Sequence, residues 1–150
     1  MDDIARLQAQ IDDMKRLLDK AYNTEIPRTV RLTSPLTSTS WDGDPYSTTA
    51  KTLIDLSAVF SAPANIKSVS VVVSVRDGAS AGTPDLYLIL SPNDTAGSGV
   101  YWYASGRTNN YWYSAKHEVT CNADGDIYFQ IAASGAGTFD VYLQVWDYTL

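Results

Sequence analysis

The first 22 residues of the chain follow a seven-residue repeat of apolar positions. Apolar residues recur at the first and fourth positions of each heptad, labelled a and d, and polar residues fill most of the other positions. This spacing puts the apolar residues in one narrow stripe along an α-helix, as in a coiled-coil seam. Acidic residues at the start and Pro27 beyond the last heptad are typical of helix boundaries. The pattern predicts a coiled-coil helix over residues 1–22 and a linker over residues 23–27.

The stripe predicts a partner for this helix, because three heptads are too short to hold a helix alone in water. One interpretation is an amphipathic helix folded back onto its own domain, and the other is self-association, which the strict a/d spacing favours. Ile at a with Leu at d favours a dimer, whereas Leu17 at position g, beside Tyr22 at e, widens the seam and favours a trimer. We expect a homotrimer, with a homodimer as the alternative. The predicted oligomerisation seam comprises Ile4, Leu7, Ile11, Met14, Leu17, Leu18 and Ala21.

After the linker, the period of the apolar pattern changes from seven to two. Apolar residues alternate with polar ones, as is typical of strands that bury one face. Connectors rich in Gly, Asn, Asp and Ser separate these segments. The pattern predicts a mainly β fold, an antiparallel β-sandwich of jelly-roll-like type, as a head domain over residues 28–150. The predicted strands are 28–33, 49–56, 69–75, 86–90, 99–104, 111–120, 127–131 and 139–145.

The triplet Tyr-Trp-Tyr occurs at 101–103 and again at 111–113, on either side of a short polar stretch. If the triplets form a hairpin, both Trp side chains share one face of the sheet and the Tyr side chains share the other. Three interpretations of the Tyr face stay open: a contact between subunits, a site where a sugar ring stacks on aromatic rings beside Asn109 or Asn110, or an exposed face without a partner. The candidate residues are Trp41, Tyr101, Tyr103, Asn109, Asn110, Tyr111, Trp112 and Tyr113.

Composition and charge narrow the classes of partner. The net charge is −6, and the 11 Lys and Arg residues form no basic stripe, so nucleic acid is not an expected partner. No run of roughly 18 apolar residues occurs, so membrane insertion is not expected either. Acidic residues stand where a secretory signal peptide would have basic ones. Cys121 is the only cysteine, which excludes a disulfide within the chain and predicts a buried thiol.

The sequence offers little catalytic chemistry. His117 is the only histidine, and no G-x-S-x-G segment provides a nucleophile for it. Two Asp pairs have a spacing that suits Ca²⁺, Asp42 with Asp44 and Asp124 with Asp126. Neither pair continues into an EF-hand loop, so we interpret them as turn residues. We therefore expect no catalytic residues, no cofactor and no bound metal, and a protein that is not an enzyme.

The order of the parts carries a resemblance to a known group of proteins. A heptad segment, MDDIARLQAQIDDMKRLLDKAY, is followed by a linker and a β-sandwich rich in Thr, Ser and Tyr. This layout resembles small fibre, head-decoration and receptor-binding knob proteins on the virions of tailed bacteriophages. The stretch TSTSWDGDPYSTTAKTLIDLSAVFSAP also looks like the opening of such knob domains. The resemblance implies a trimeric stalk, attachment to capsid or tail proteins, and a head that decorates the particle or binds glycans on the host surface.

We therefore expect a non-enzymatic structural protein of a phage virion, oligomeric through its N-terminal coiled coil and exposed at the particle surface. The partners that the resemblance implies are further copies of the chain, other virion proteins and host surface glycans. Release of virions by lysis would account for the missing signal peptide. Two alternatives stay open, a free carbohydrate-binding or adhesion module and a small hydrolase that would depend on His117.

Overall fold

The computed structural model describes residues 3–24, 27–38, 40–43, 50–78, 86–133 and 139–150. In these residues the chain is mainly β, with a long N-terminal helix, one short helix and eight strands in two antiparallel sheets. Each predicted strand overlaps an observed one, whereas the short helix was not predicted. The elements are α1 (Asp3–Thr24), β1 (Thr29–Thr37), β2 (Thr52–Ile54), α2 (Leu56–Phe60), β3 (Ser68–Asp77), β4 (Tyr87–Ser91), β5 (Val100–Tyr103), β6 (Tyr113–Thr120), β7 (Ile127–Ala132) and β8 (Phe139–Thr149).

The strands form two four-stranded sheets that face each other as a β-sandwich. Sheet A has the order β1-β8-β3-β6, and sheet B has the order β2-β7-β4-β5. Among the described strands, only β4 and β5 are both consecutive in the chain and neighbours in a sheet. The chain therefore crosses from one sheet to the other at nearly every connection.

Side chains from both sheets fill the space between them. Alternate residues of each strand point inward, which is why the alternation in the sequence predicted the strands. Trp102 on β5 is 1% exposed, and its indole N–H donates a hydrogen bond to the Ala115 carbonyl oxygen on β6 at 3.2 Å. That bond joins the edges of the two sheets. The buried apolar strand residues include Ile54, Val69, Val71, Val73, Val75, Leu88, Leu90, Val119, Ile127, Phe129, Ile131, Phe139, Val141, Leu143 and Val145.

A bulge interrupts the pairing of β3 with β8. Ser70 is opposite Asp147, but the next residue of β3, Val71, is opposite Val145, so Trp146 is an extra residue on β8. An extra residue reverses the inward and outward alternation of the strand beyond it. As a result Tyr148 packs against the core and Asp147 faces outward.

Strand β6 forms one edge of sheet A and has charged residues on its outward side. Lys116 Nζ donates a hydrogen bond to Asp147 Oδ2 at 2.5 Å, and Glu118 Oε1 accepts one from Ser68 Oγ at 2.6 Å. Both partners lie on neighbouring parts of the same sheet face. The edge strand is therefore charged rather than apolar.

The sandwich has a proximal end, where β1 begins, and a distal end, where the β5–β6 connection lies. Because consecutive strands run in opposite directions, the connections alternate between the ends. At the proximal end, where β1 begins, the Leu150 N–H donates to the Arg28 carbonyl oxygen at 3.0 Å. At the distal end, the Asn110 N–H in the β5–β6 connection donates to the Asp77 carbonyl oxygen at 2.8 Å. The chain passes from α1 into the head at the proximal end, opposite the β5–β6 connection.

The structure contradicts the predicted Tyr-Trp-Tyr hairpin. The first triplet ends β5 in sheet B, and the second leads into β6 in sheet A, so the two segments do not pair. Trp102 is buried in the core, whereas Trp112 is 50% exposed, so the two Trp side chains do not share a face. The physical reason is that periodicity reports which face of a strand is buried but not which strand is its neighbour.

Candidate functional site

The apolar stripe of α1 is exposed to solvent. The exposed fraction of its large residues ranges from 41% at Ile11 to 73% at Ile4. Exposed apolar surface of this extent is typical of an interaction site. The described part of the sandwich leaves the stripe uncovered. The structure therefore gives no support to the interpretation in which α1 folds back onto its own domain. All predicted seam residues lie on this exposed helix: Ile4, Leu7, Ile11, Met14, Leu17, Leu18 and Ala21.

Side-chain contacts of Gln8 and Arg16 within α1 lie outside the a and d positions. Gln8 Nε2 donates a hydrogen bond to Asp12 Oδ1 at 3.1 Å, and Arg16 forms an ion pair with Asp13 at 2.8 Å. Such contacts between residues three and four apart support a helix modestly. None of the helices in the described residues is long and apolar enough to cross a membrane.

Three tyrosines form a cluster on the outer face of sheet B, the tyrosine cluster. The ring centroids of Tyr87, Tyr101 and Tyr103 lie 5.4 to 5.6 Å apart. The rings of Tyr101 and Tyr103 are stacked with an interplanar angle of 9°. Tyr103 is 46% exposed, and it is the most open of the three. Much of the ring surface in this cluster is therefore used in contacts among the tyrosines themselves.

The β4–β5 connection, residues 92–99, folds over the same outer face. The Gly97 N–H donates to Gln130 Oε1 at 3.1 Å, and the Tyr101 hydroxyl donates to the Gly97 carbonyl oxygen. Gly99 has φ +137°, and a Cβ at this position would lie 2.3 Å from a backbone oxygen of β4. Only glycine fits there. The loop is thus closely packed on sheet B beside the tyrosine cluster.

Lys51 fastens this loop to the sheet. Its ammonium group donates to the Ser91 hydroxyl and to the carbonyl oxygens of Asn93 and Ser98. Burial lowers the pKa of Lys51, while the charge of Asp94 acts in the opposite direction. Ser91 and Asn93 lie at the start of the loop and Ser98 lies near its end, so the Lys51 side chain connects the two ends of the loop.

Trp112 lies at the distal end beside sheet A. The Arg76 guanidinium carbon is 4.8 Å from the Trp112 ring centroid, a cation–π geometry. Arg76 in turn donates from Nε to Asp140 Oδ2 at 2.5 Å. A guanidinium held by a carboxylate keeps the indole in place while half of Trp112 stays exposed.

Further predicted residues surround Trp112. Tyr111 is 70% exposed, and Asn109 and Asn110 are exposed as well. Asn110 has φ +67°, a conformation that Asn tolerates better than most residues. Arg107 lies with its guanidinium carbon 3.7 Å above the Tyr113 ring, which packs against the core. The β5–β6 connection and the first residue of β6 therefore bring five of the predicted site residues together at the distal end.

Trp41 is separate from these residues. Its ring packs edge-on against Phe129 at 5.5 Å and lies 6.5 Å from Phe60, so it covers part of the core. The structure thus divides the predicted surface into three places. Tyr101 and Tyr103 belong to the tyrosine cluster, residues 109–113 to the distal end, and Trp41 to the core boundary.

The single histidine, His117, lies within β6, and the single cysteine, Cys121, follows the end of that strand. The His117 ring meets Trp102 edge-on at 5.2 Å, at the border between the sheets. Cys121 is 7% exposed, and burial raises the pKa of its thiol to about 12, with the charge of Asp126 acting in the same direction. Among the described residues no group of three or more His, Cys, Asp or Glu is placed to hold a metal ion.

The Asp124/Asp126 pair forms a turn. Asn122 Oδ1 accepts hydrogen bonds from the backbone N–H groups of Asp124 at 3.0 Å and Asp126 at 2.8 Å. Asp126 Oδ1 also accepts from the Leu56 N–H at 3.0 Å, which ties this turn to the start of α2. Burial raises the pKa of Asp126, although the hydrogen bond from Leu56 lowers it. The other Asp pair includes Asp44, which lies outside the described residues.

Two outward aromatic residues of β8 were not among the predicted site residues. Tyr142 is 45% exposed and lies opposite the outward residue Ser74. The Trp146 indole N–H donates to Gln144 Oε1 at 3.3 Å, which holds the Trp146 side chain beside the outward residue Gln144. The signal was present in the sequence, because these residues alternate with inward apolar residues of the same strand. Together with Trp112 they form the aromatic face of sheet A.

Comparison of the chain with protein-family models, with curated proteins and with solved structures found no match.

Proposed function

We propose that the protein is a non-enzymatic structural protein that self-associates through α1 and presents its β-sandwich as a head. One observation carries this proposal: the apolar stripe of α1 is exposed, while the sandwich has a closed core of its own. A helix that is not needed for the core of its own domain has its apolar stripe available for other chains. Coiled-coil packing buries such a stripe.

The geometry of the stripe favours other copies of the chain as its partner. The a and d positions form a narrow seam of the kind that identical helices share. Leu17 at g is 55% exposed and widens the seam beyond a two-helix contact, which favours a trimer. The ion pair of Asp13 with Arg16 lies on the outer positions c and f, so it does not compete with this contact.

In the head, the proposal extends to a jelly roll. The strand orders β1-β8-β3-β6 and β2-β7-β4-β5 support it, because an eight-stranded jelly roll places most consecutive strands in opposite sheets. Domains of this type occur in viral capsids and in lectins. Since a fold does not specify a function, the role of the head is argued from its surface.

The proposed location is the surface of a tailed-phage virion, where the protein serves as a fibre or decoration protein. The layout of stalk and head supports this role, because α1 leads into the proximal end and the exposed aromatic residues lie at the distal end and on the sheets. The stalk then contacts capsid or tail proteins, and the head faces outward toward the host. A reconstruction of a particle that carries the protein would test the location directly.

Light scattering of the purified full chain tests self-association. One chain has a mass of 16.4 kDa, and the proposal expects three times that mass in solution. A mass of 16.4 kDa at tens of micromolar protein would refute it. A variant that lacks residues 3–24 should have the mass of one chain if the helix alone drives assembly. If this variant stays oligomeric, the heads contact each other as well.

A free carbohydrate-binding or adhesion module is the second candidate. The exposure of Trp112 and Tyr111 favours it, because aromatic rings open to solvent are the stacking surfaces that sugars use. A protein that binds glycans but has the mass of one chain in solution would support this candidate over the first.

A further inference from the structure

We infer that the aromatic face of sheet A, formed by Trp112, Tyr142 and Trp146, binds a neutral oligosaccharide. This inference rests on the attachment role proposed above and names its ligand class and its surface. One side of a sugar ring presents C–H bonds, which pack on aromatic rings, while hydroxyl groups at its edge need hydrogen-bond partners. A surface suited to sugars therefore alternates rings with small polar groups.

The strand register places rings and hydroxyl groups in such an alternation. In one row across the outer face, Arg76 lies between Trp112 and Asp140. In the next row, Ser74 lies between Ser114 and Tyr142. This second row puts two hydroxyl groups beside the ring of Tyr142, one on β3 and one on the edge strand β6.

The spacing of the two rings suits a chain of sugars. Trp112 and Tyr142 are two strands apart and two residues apart along the strands. Two strand spacings of about 4.8 Å and a two-residue step of about 6.6 Å place their Cα atoms roughly 12 Å apart. A short oligosaccharide covers this length, so one ligand can reach both rings.

Polar groups between the rings are available for hydrogen bonds. Ser74 Oγ and Ser114 Oγ lie 2.6 Å apart, and this pair keeps one further O–H and several lone pairs. Gln144 lies farther along β8, where its Oε1 accepts from the Trp146 indole and its NH₂ adds donors. Donors and acceptors of this kind match sugar hydroxyl groups.

Charge complementarity favours a neutral ligand. Among the described residues of this face, three cations are balanced by three anions: Arg31, Arg76, Lys116, Asp140, Asp147 and Glu118. Arg76 pairs with Asp140, and Lys116 pairs with Asp147. Because these charges cancel locally and the chain carries −6 overall, the face attracts neither a nucleic acid nor an acidic polysaccharide.

The tyrosine cluster of sheet B is less suited to the same ligand. Tyr101 and Tyr103 turn their ring faces toward each other, and the loop of residues 92–99 covers the sheet beside them. On sheet A, Arg76 supports Trp112, and half of that residue remains exposed. Sheet A thus presents Trp112 and the 45% exposed ring of Tyr142, whereas the rings of Tyr101 and Tyr103 on sheet B stack on each other.

The test uses the full chain on an array of neutral and acidic oligosaccharides, followed by calorimetric titration with the neutral oligosaccharide that gives the strongest signal. We expect Trp112→Ala and Tyr142→Ala each to weaken binding by about tenfold, since each removes one stacking ring. Tyr103→Ala is the matched control, because Tyr103 on sheet B is 46% exposed and Tyr142 on sheet A is 45% exposed. The control should bind as the unmodified chain does.

Three results would overturn the inference: no binding of any neutral oligosaccharide, unchanged affinity in both sheet A variants, or an equal loss in the Tyr103→Ala variant. Light scattering on the same samples separates this inference from the proposed function. A trimer that binds no sugar overturns the assignment of the face and leaves self-association standing. A single chain that binds sugar through Trp112 and Tyr142 supports the face and overturns self-association.

Discussion

Replacing Ile11 by Asp is the sharpest perturbation of the proposed seam. Ile11 occupies a central a position and is 41% exposed in the isolated chain, so this fraction remains to be buried by assembly. Complete burial of an Ile side chain stabilises by about 1.5–3 kcal/mol, so the exposed part is worth roughly 1 kcal/mol per chain. An unpaired carboxylate in an apolar seam adds a cost of at least about 2 kcal/mol.

Summed over three chains, the substitution destabilises a trimer by about 9 kcal/mol. Since each 1.4 kcal/mol changes an equilibrium constant tenfold, the association constant falls by roughly six orders of magnitude. At tens of micromolar protein, light scattering should then report 16.4 kDa for Ile11→Asp and three times that mass for the unmodified chain. Lowering the pH to about 4 should restore part of the assembly, because protonation removes the new charge.

The matched control is Ala9→Asp, which puts the same carboxylate at an outer heptad position of the same helix. Ala9 is exposed and lies away from the a and d positions, so this variant should keep the mass of the unmodified chain. An unchanged mass for Ile11→Asp would refute the seam. Dissociation of both variants would also refute it, because a charge anywhere on the helix would then have the same effect.

Three further predictions concern the head. Trp102→Ala should lower the free energy of unfolding by about 3–5 kcal/mol, because it leaves a cavity in the core and removes the hydrogen bond to the Ala115 carbonyl oxygen. Urea denaturation measures this loss, and a loss below about 1 kcal/mol would contradict the burial of Trp102. Gly99→Ala should lower the urea midpoint more than Gly106→Ala, because both glycines have positive φ but only Gly99 is crowded by backbone atoms; equal losses would contradict this. Cys121 should react with iodoacetamide at about pH 8 far more slowly in the native protein than in urea, because burial raises the pKa of its thiol to about 12. Because the pKa of this thiol is about 9 in the unfolded chain, only the unfolded chain loses the proton between about pH 9 and about pH 12, so stability falls over this range. Rapid alkylation of the native protein would contradict the burial of Cys121.

The strands were predictable because most of them bury mainly one face. In β3, valines at every second position predict a buried face. All four of these valines are buried in the structure: Val69, Val71, Val73 and Val75. The order of the strands in the sheets was not predictable in this way. Nothing in the local period of residues 101–113 shows that the chain crosses the sandwich there, and the hairpin prediction was wrong for that reason.

The surface residues were predictable only in part. Trp112 and Tyr111 are exposed as a stacking site requires, but Trp41 packs against the core through Phe129 and Phe60, contacts that depend on the tertiary fold. The turn that joins β6 to β7 was predicted from its Asp-Gly dipeptide, whereas its hydrogen bond to α2 was not. A five-residue helix has too little periodicity to be recognised in a sequence.

The charged edge of sheet A has a consequence for crowded assemblies. Heads tethered by short linkers would experience each other at an effective concentration in the millimolar range. Exposed strand edges at such concentrations invite pairing from one molecule to the next, and charged side chains such as Lys116 and Glu118 discourage it. Fibrillar growth through β6 is therefore disfavoured, so in the assembly that we propose the helix alone would determine the number of associated chains.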